Sequence, residues 1–167
     1  TPREAAELVV GKRLKRFIAG SAFLSGALID EFAKYGITAR QGYGMSECSP
    51  RITTSDFSED NKYSNGVLTG VDDVRVVDGE IQVKGPSVMK GYYKKPHRTA
   101  EAFTEDGYLH TGDLGYIENN HIYLVGRKKN LIILSNGENI SPEELENKFV
   151  DDGIVKEIVV RGEKDTI

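Results

Sequence analysis

LKRFIAGSAFLSGALIDEFAKYGITARQ, residues 14–41, is the stretch whose reading decides the fold. Leu14 to Ala19 reads as a buried strand. Ser25 or Ser21 can cap the helix that follows, in which Leu28, Ile29, Phe32 and Tyr35 recur at helical spacing. Gly36 stops that helix, and Ile37 to Gln41 resumes as a strand. Strand, helix and strand within about thirty residues make a βαβ unit, which implies parallel strands and a right-handed crossover. Ligands of such sheets sit beyond the carboxyl ends of the strands. Two glycine-bearing segments, Gly20-Ser21-Ala22 and Gly42-Tyr43-Gly44, fall there.

Before this unit, Thr1 as N-cap and Pro2 at the first helical position predict a short helix over Glu4 to Val10. After it, from about Ser55, the pattern turns to β. Val74 to Val77 and Ile81 to Val83 flank Asp78-Gly79-Glu80, a hairpin signal, and Gly115 to Glu118 and Ile122 to Val125 flank Asn119-Asn120 in the same way. Pro96 opens a short helix through Phe103. Leu131 to Leu134 reads as a strand, Ser141-Pro142-Glu143-Glu144 as a capping box that starts a helix to about Val150, and Val155 to Arg161 as a last strand. The expected fold class is α/β plus α+β. A βαβ remnant of a larger parallel-sheet domain spans 1–54, an antiparallel β subdomain 55–126, and the start of a small mobile α+β domain 127–167.

Composition narrows the function classes. A formal charge of −4 gives no footprint for nucleic acid, which needs clustered Lys and Arg. No apolar run approaches the roughly 20 residues that cross a bilayer, so no transmembrane segment is expected. The single cysteine, Cys48, cannot form an intramolecular disulfide; a reducing, cytoplasmic setting is the simpler expectation. The start at Thr1-Pro2, without an initiator methionine, fits an excerpted or processed piece.

Four segments carry candidate chemistry, and each also has a plain structural reading. In Gln41-Gly42-Tyr43-Gly44-Met45-Ser46-Glu47 the glycines let backbone approach a ligand, Tyr43 offers a ring, Ser46 can bond a phosphate oxygen and Glu47 can hold magnesium; a tight turn after a strand accounts for it as well. His110-Thr111-Gly112-Asp113-Leu114-Gly115 reads as a polar loop entering a hairpin. There Asp113 either accepts both ribose hydroxyls or satisfies its own backbone in an Asx-turn; His110 is read as a surface residue, not a base. Gly126-Arg127-Lys128-Lys129-Asn130 is a phosphate grip or a solvated linker. Ser135-Asn136-Gly137-Glu138-Asn139 is a turn. Cys48 has no histidine placed to activate it and is taken as structural.

The order and spacing of these segments resemble the adenylate-forming superfamily of acyl-CoA synthetases, firefly-type luciferases and peptide-synthetase adenylation modules. Gln41 to Glu47 is similar to its Y-G-x-T/S-E segment and Tyr108 to Gly115 to its W/Y-x-x-T-G-D element. Gly126 to Ile133 is similar to its G-R-x-K/D hinge, and Asn136 to Glu146 to its G-E-N-I-x-P-E-E loop. Gly85 to Tyr93 resembles a further family segment, and the likeness runs from about Arg13 to the end. The resemblance implies that Tyr43 stacks on adenine, Ser46 touches phosphate and Glu47 coordinates Mg2+. It implies that Gly20-Ser21-Ala22 and Gly42 to Gly44 lie against the nucleotide, although Ser21 and Phe23 depart from the usual Gly-Gly-Ala-Pro. Asp113 would bind ribose and Arg127 would contact the nucleotide. Lys129, often Asp in relatives, would be the hinge, and Gly137 would line the tunnel for coenzyme A.

The implied reaction joins a carboxylic acid, a fatty acid in the first instance, to coenzyme A at the expense of ATP through an acyl-adenylate. The family's phosphate loop and its adenylation lysine are not found in the sequence. No catalytic residue is therefore assigned, the remainder of a parent chain is expected to complete the site, and these 167 residues are expected to be inactive alone. Two rivals stand beside this: an amino-acid or aryl-acid adenylation module loading a carrier protein, disfavoured by Glu138-Asn139-Ile140, and a non-catalytic binding module, disfavoured by intact Glu47, Asp113 and Arg127.

Overall fold

The structure is a computed structural model that describes residues 1–22, 24–134, 138–149 and 158–162. Helix α1 (Pro2–Val10) starts with the capping pattern its sequence predicts: the Glu4 amide donates to Thr1 Oγ1, and the Glu4 carboxylate accepts from the Thr1 amino group at 2.7 Å. Strand β1 (Arg16–Ala19), helix α2 (Gly26–Lys34) and strand β2 (Thr38–Gln41) form the βαβ unit, with β1 and β2 parallel in the register Arg16 to Thr38 through Ala19 to Gln41. Ser25, not Ser21, caps α2, its Oγ accepting the Leu28 amide at 3.2 Å; Ser21 lies at φ 64 instead. Leu24, Ile29 and Ala39 form the core of this unit, with Phe32 edge-on to Phe17.

Two expectations for this unit need correction. The first strand begins at Arg16 rather than Leu14, and it alternates exposed and half-buried side chains, with Ile18 46% exposed, because helix packing covers only one face of the two-stranded sheet. For the same reason Leu28, on the far side of α2, is exposed while Ile29 is buried.

The middle of the chain is a six-stranded antiparallel sheet in the order β3-β4-β8-β7-β6-β5, made of β3 (Thr53–Thr54), β4 (Val67–Leu68), β5 (Asp73–Val77), β6 (Glu80–Lys84), β7 (Leu109–Glu118) and β8 (His121–Arg127). Both expected hairpins form. Asp78 and Gly79, and Asn119 and Asn120, all take positive φ, the geometry that lets a two-residue turn follow the strand twist. β7 is longer than the sequence suggests: His110 to Gly115 is strand, not loop, continuing through a bulge at Leu114/Gly115. β8 likewise runs through Gly126 and Arg127, so these two residues of the segment read as a phosphate grip or a solvated linker are strand. Helix α3 (Pro96–Ala102) opens on its proline as expected. Ile52, Ile81, Val83, Leu109 and Ile122, each 1% exposed or less, form the main core. Tyr43 and Cys48 belong to that core as well, so the segment after β2 packs against the antiparallel sheet.

Beyond β8 the chain makes a 3-10 turn (Lys128–Asn130), the antiparallel pair β9 (Ile132–Ile133) and β10 (Asn139–Ile140), and helix α4 (Pro142–Phe149). The strand expected over Leu131 to Leu134 is thus shortened by the turn before it. The last expected strand falls partly outside the described residues, and residues 158–162 carry no strand pairing. Gly137, Phe23 and the side chain of Glu144 in the capping box lie outside what is described. Among the described residues no helix is long and apolar enough to cross a membrane.

Candidate functional site

A cleft of about 410 Å³ opens where the carboxyl ends of β1 and β2 meet the ends of β7 and β8. Its walls are Ser21 and Ala22 after β1, Gly42 to Gly44 after β2, Asn65 before β4, Asp113 on β7, Leu124 to Arg127 on β8, and Glu143 and Glu146 on α4.

The segment after β2 is fixed by its backbone. Tyr43 donates its amide to Thr53 Oγ1 at 2.7 Å, and its carbonyl accepts the amides of Ile52 and Thr53 at 3.0 and 2.9 Å. Gly44 is required by close approach, since a Cβ there would collide with the Pro50 carbonyl. Tyr43 is itself buried, and its hydroxyl donates to Asp113 Oδ2 at 2.7 Å. Burial, with the neighbouring Asp113 charge adding to it, pushes the Tyr43 phenol far above its ordinary value, so it stays a neutral donor.

Asp113 is 7% exposed; its Oδ2 accepts the Tyr43 hydroxyl, and its Oδ1 forms an ion pair with Arg127, Nε standing 2.7 Å away. Its amide donates to Thr111 Oγ1, which donates in turn to the Ile81 carbonyl. The local Asx-turn is therefore not what Asp113 does. Arg127 is the one cation among the described wall residues, against the carboxylates of Asp113, Glu143 and Glu146. An anion entering the cleft thus needs further positive charge from elsewhere.

The segment beyond, Ser46–Cys48, is a single 3-10 turn. Glu47 is held from two sides: its carbonyl accepts the Met89 amide at 2.7 Å and its Oε1 accepts the Tyr92 hydroxyl at 3.0 Å. No cluster of three or more His, Cys, Asp or Glu able to hold a metal occurs among the described residues. One carboxylate nevertheless fits magnesium, which characteristically takes one or two protein carboxylates together with substrate phosphates. Cys48 is fully buried, and burial pushes its thiol up to about 11, the state of an inert core residue.

Of the residues the sequence singled out, Ser21, Ala22, Gly42, Tyr43, Gly44, Asp113 and Arg127 line the cleft. Gly20 lies just behind the wall, where a Cβ would meet the Gly42 carbonyl, and Ser46 and Glu47 stand outside the wall on their own turn. Lys129 sits exposed on the 3-10 turn after β8. Sequence reading missed Asn65, whose Oδ1 accepts the Leu124 amide at 2.9 Å while its Nδ2 reaches Gln41 Oε1 at 3.4 Å. It foresaw α4 but not its docking at the cleft, where the helix seats on β8 through Ser141 Oγ, 2.8 Å from the Val125 carbonyl, over the bare Cα of Gly126. The Asn65-Gly66 dipeptide was the available signal for the first; nothing local marks the second.

Comparison with known proteins decides the family. Residues 2–93, more than half of the chain, match the model of the AMP-binding enzyme family. The chain belongs to that family. As an AMP-binding enzyme chain it is 33% identical over 168 residues to long-chain-fatty-acid–CoA ligase 1 of Cavia porcellus, covering 92% of this chain and 24% of that protein. It is also 33% identical over 172 residues to the chloroplastic long-chain-fatty-acid–acyl-carrier-protein ligase AEE15 of Arabidopsis thaliana, covering 89% and 24%. Among solved structures, o-succinylbenzoate CoA synthetase from Bacillus subtilis in complex with its acyl-adenylate intermediate matches with a TM-score of 0.81 at 31% identity, over 96% of this chain and 37% of that one. The chain thus spans about a quarter of the length of the sequence relatives it matches.

Proposed function

We propose that the protein forms half of the nucleotide site of an ATP-dependent acid–thiol ligase that activates a carboxylic acid as acyl-adenylate and passes it to coenzyme A. The observation that carries this reading is the Tyr43–Asp113–Arg127 arrangement in the cleft. One Asp113 oxygen accepts the Tyr43 hydroxyl and the other is ion-paired with Arg127, and both keep lone pairs free to accept. Two such oxygens side by side suit the two neighbouring hydroxyls of a ribose, both of which donate. The Tyr43 ring then meets the adenine, the backbone of Gly20 to Ala22 and Gly42 to Gly44 lies along the nucleotide, and Arg127 and Ser46 reach phosphate oxygens. Glu47 would hold the Mg2+ that accompanies ATP, and the ion would neutralise phosphate charge that Arg127 alone cannot. Lys129 is the pivot and Gly137 part of the coenzyme A tunnel; on this reading the chain divides at 1–54, 55–126 and 127–167.

The chemistry is two displacements. An acid oxygen attacks the α-phosphorus, the bond to the β-phosphate oxygen breaks and pyrophosphate leaves. A thiolate then attacks the acyl carbon, the acyl–phosphate bond breaks and AMP leaves. These residues position and bind rather than exchange protons, which suits phosphoryl chemistry dominated by orientation and charge. A fatty acid is the substrate best supported by the relatives' names. Their inclusion of an acyl-carrier-protein ligase favours one second reading, transfer to a carrier protein.

Titration of the 15N-labelled protein with AMP should shift the amides of Gly42 to Gly44, Asp113 and Arg127, and an unchanged spectrum at millimolar AMP overturns the nucleotide reading. In the longer protein, acid-dependent ATP–pyrophosphate exchange across a panel of acids, followed by thioester formation with coenzyme A or a carrier protein, decides substrate and acceptor.

A further inference from the structure

Glu80 is a buried carboxylate that neither half-reaction uses. It opens β6 directly after the Asp78-Gly79 turn, with its side chain 4% exposed. Burying a charge is costly unless donors replace its water. Here three do: the Gly112 amide reaches Oε1 at 3.1 Å, and Lys128 Nζ and His110 Nδ1 each reach Oε2 at 3.1 Å. Burial alone would raise the Glu80 carboxyl, but these donors outweigh it and hold it below the usual carboxylate range.

The identity of those partners is what matters. Gly112 immediately precedes Asp113, and Lys128 immediately follows Arg127. Gly112 takes φ 71 on a strand about to bulge, and its amide donates to Glu80. Lys128 is where β8 gives way to the 3-10 turn. Asp113 and Arg127 are directly paired across β7 and β8, and their side chains meet at 2.7 Å. One carboxylate therefore grips the chain neighbours of both members of that pair. We propose that Glu80 is a positioning residue for the Asp113–Arg127 pair, fixing Gly112 and Lys128 so that the pair faces the cleft in one register. Its hold also anchors the end of β8 at Lys128, whereas the side chain of Lys129, next along, is exposed and has no ion pair or hydrogen bond among the described residues.

The inference rests on the proposed role of Asp113 and Arg127, but its test does not need nucleotide. In the 15N-labelled 167-residue protein, hydrogen exchange is followed at the Gly112 amide, at Arg127 Nε–H and, as an internal control, at Arg75 Nε–H. Arg75 is bonded to Gln82 Oε1 at 2.9 Å on the same sheet. Lys128→Met should speed exchange at Arg127 Nε–H at least fivefold while Gly112 stays within twofold of wild type. Lys128→Arg, which restores the ion pair, should return Arg127 to the wild-type rate. Glu80→Gln should speed Arg127 at least fivefold as well, and Arg75 should not respond in any variant. Unchanged exchange at Arg127 in Lys128→Met, or an equal rise at Arg75 and Arg127, overturns the positioning role. Should Glu80→Gln fail to fold, the two Lys128 variants decide the matter alone. An absence of AMP binding by wild type would remove the nucleotide reading while leaving this exchange result standing.

Discussion

Removing one oxygen, in Tyr43→Phe, tests the centre of the site. The hydroxyl lost donates at 2.7 Å to a carboxylate that is 7% exposed, from a ring that is 8% exposed. Hydrogen bonds to charged groups contribute about 1.5–3 kcal/mol, and a buried acceptor left short of a donor keeps its desolvation cost. Asp113 retains Arg127, and the ring still fills its place in the core, so the loss should be about 2 kcal/mol. With a urea slope of about 2 kcal/mol/M, the unfolding midpoint should fall by about 1 M at unchanged slope. A second arm uses pH. The folded Tyr43 phenol is raised above its unfolded value, so its contribution is complete below about pH 10 and is lost as pH climbs further, by about 1.4 kcal/mol per unit. The variant lacks that loss, and the gap between the two proteins should therefore narrow above about pH 10. Urea titrations from pH 7 to 11, followed by circular dichroism, measure both. A midpoint that does not move at pH 7, or a gap that stays constant to pH 11, would refute the Tyr43–Asp113 bond as a buried, charge-assisted contact.

Three further outcomes follow from the geometry. Asp113→Ala in the longer protein should weaken ATP binding by about 2–4 kcal/mol, as the loss of two bonds to a carboxylate implies; calorimetry showing unchanged affinity would count against the ribose role. Gly44→Ala forces a methyl into the Pro50 carbonyl and should destabilise by about 3 kcal/mol or more, seen as a thermal transition lowered by several degrees or absent; a wild-type transition would mean that the loop yields freely. Lys129→Pro fixes φ at the proposed pivot and should suppress one half-reaction of the longer protein while sparing the other, assayed as pyrophosphate exchange and as thioester formation from preformed adenylate. Equal slowing of both in a folded variant would make Lys129 a local structural residue.

The features legible in the sequence were those with local causes. Asp78-Gly79 and Asn119-Asn120 name their own turns, Ser25 caps its own helix, and the apolar spacing of 14–41 announces a parallel pair. Strands β3 and β4 are two residues each and have no period to read; they exist because Thr53 and Val67 find partners in a register set elsewhere. β7 was hidden by its own glycines, since Gly112 and Gly115 look like loop while a bulge lets the strand pass through them. The same limit applies to the site. Motifs at Gly42 to Glu47 and at Asp113 pointed to the cleft, yet the Tyr43–Asp113 bond joins residues 70 positions apart and no window contains both. Glu80 read as a turn residue, because burial by Gly112, His110 and Lys128 is a property of the assembled sheet and not of the Asp-Gly-Glu tripeptide.

The strand order carries a consequence for how the protein assembles. The β5–β6 and β7–β8 hairpins close over two-residue turns, events that take on the order of 1–10 μs. β4 instead precedes both hairpins in the chain and must find β8 across them, through the register pair Val67–His121 and the backbone hydrogen bonds of Asn65, Gly66 and Leu68 beside it. Closing that long loop is entropically costly before any contact rewards it, so β4 docks late. Asn65 arrives with β4, and its bonds to Leu124 and Gln41 are one of the ties between the βαβ unit and the sheet at the cleft wall. On that order the cleft is one of the last things to form, and the proposed nucleotide site is absent from the earlier states. AMP should accordingly slow unfolding while leaving the refolding rate untouched, the kinetic mark of a ligand that recognises only the finished fold.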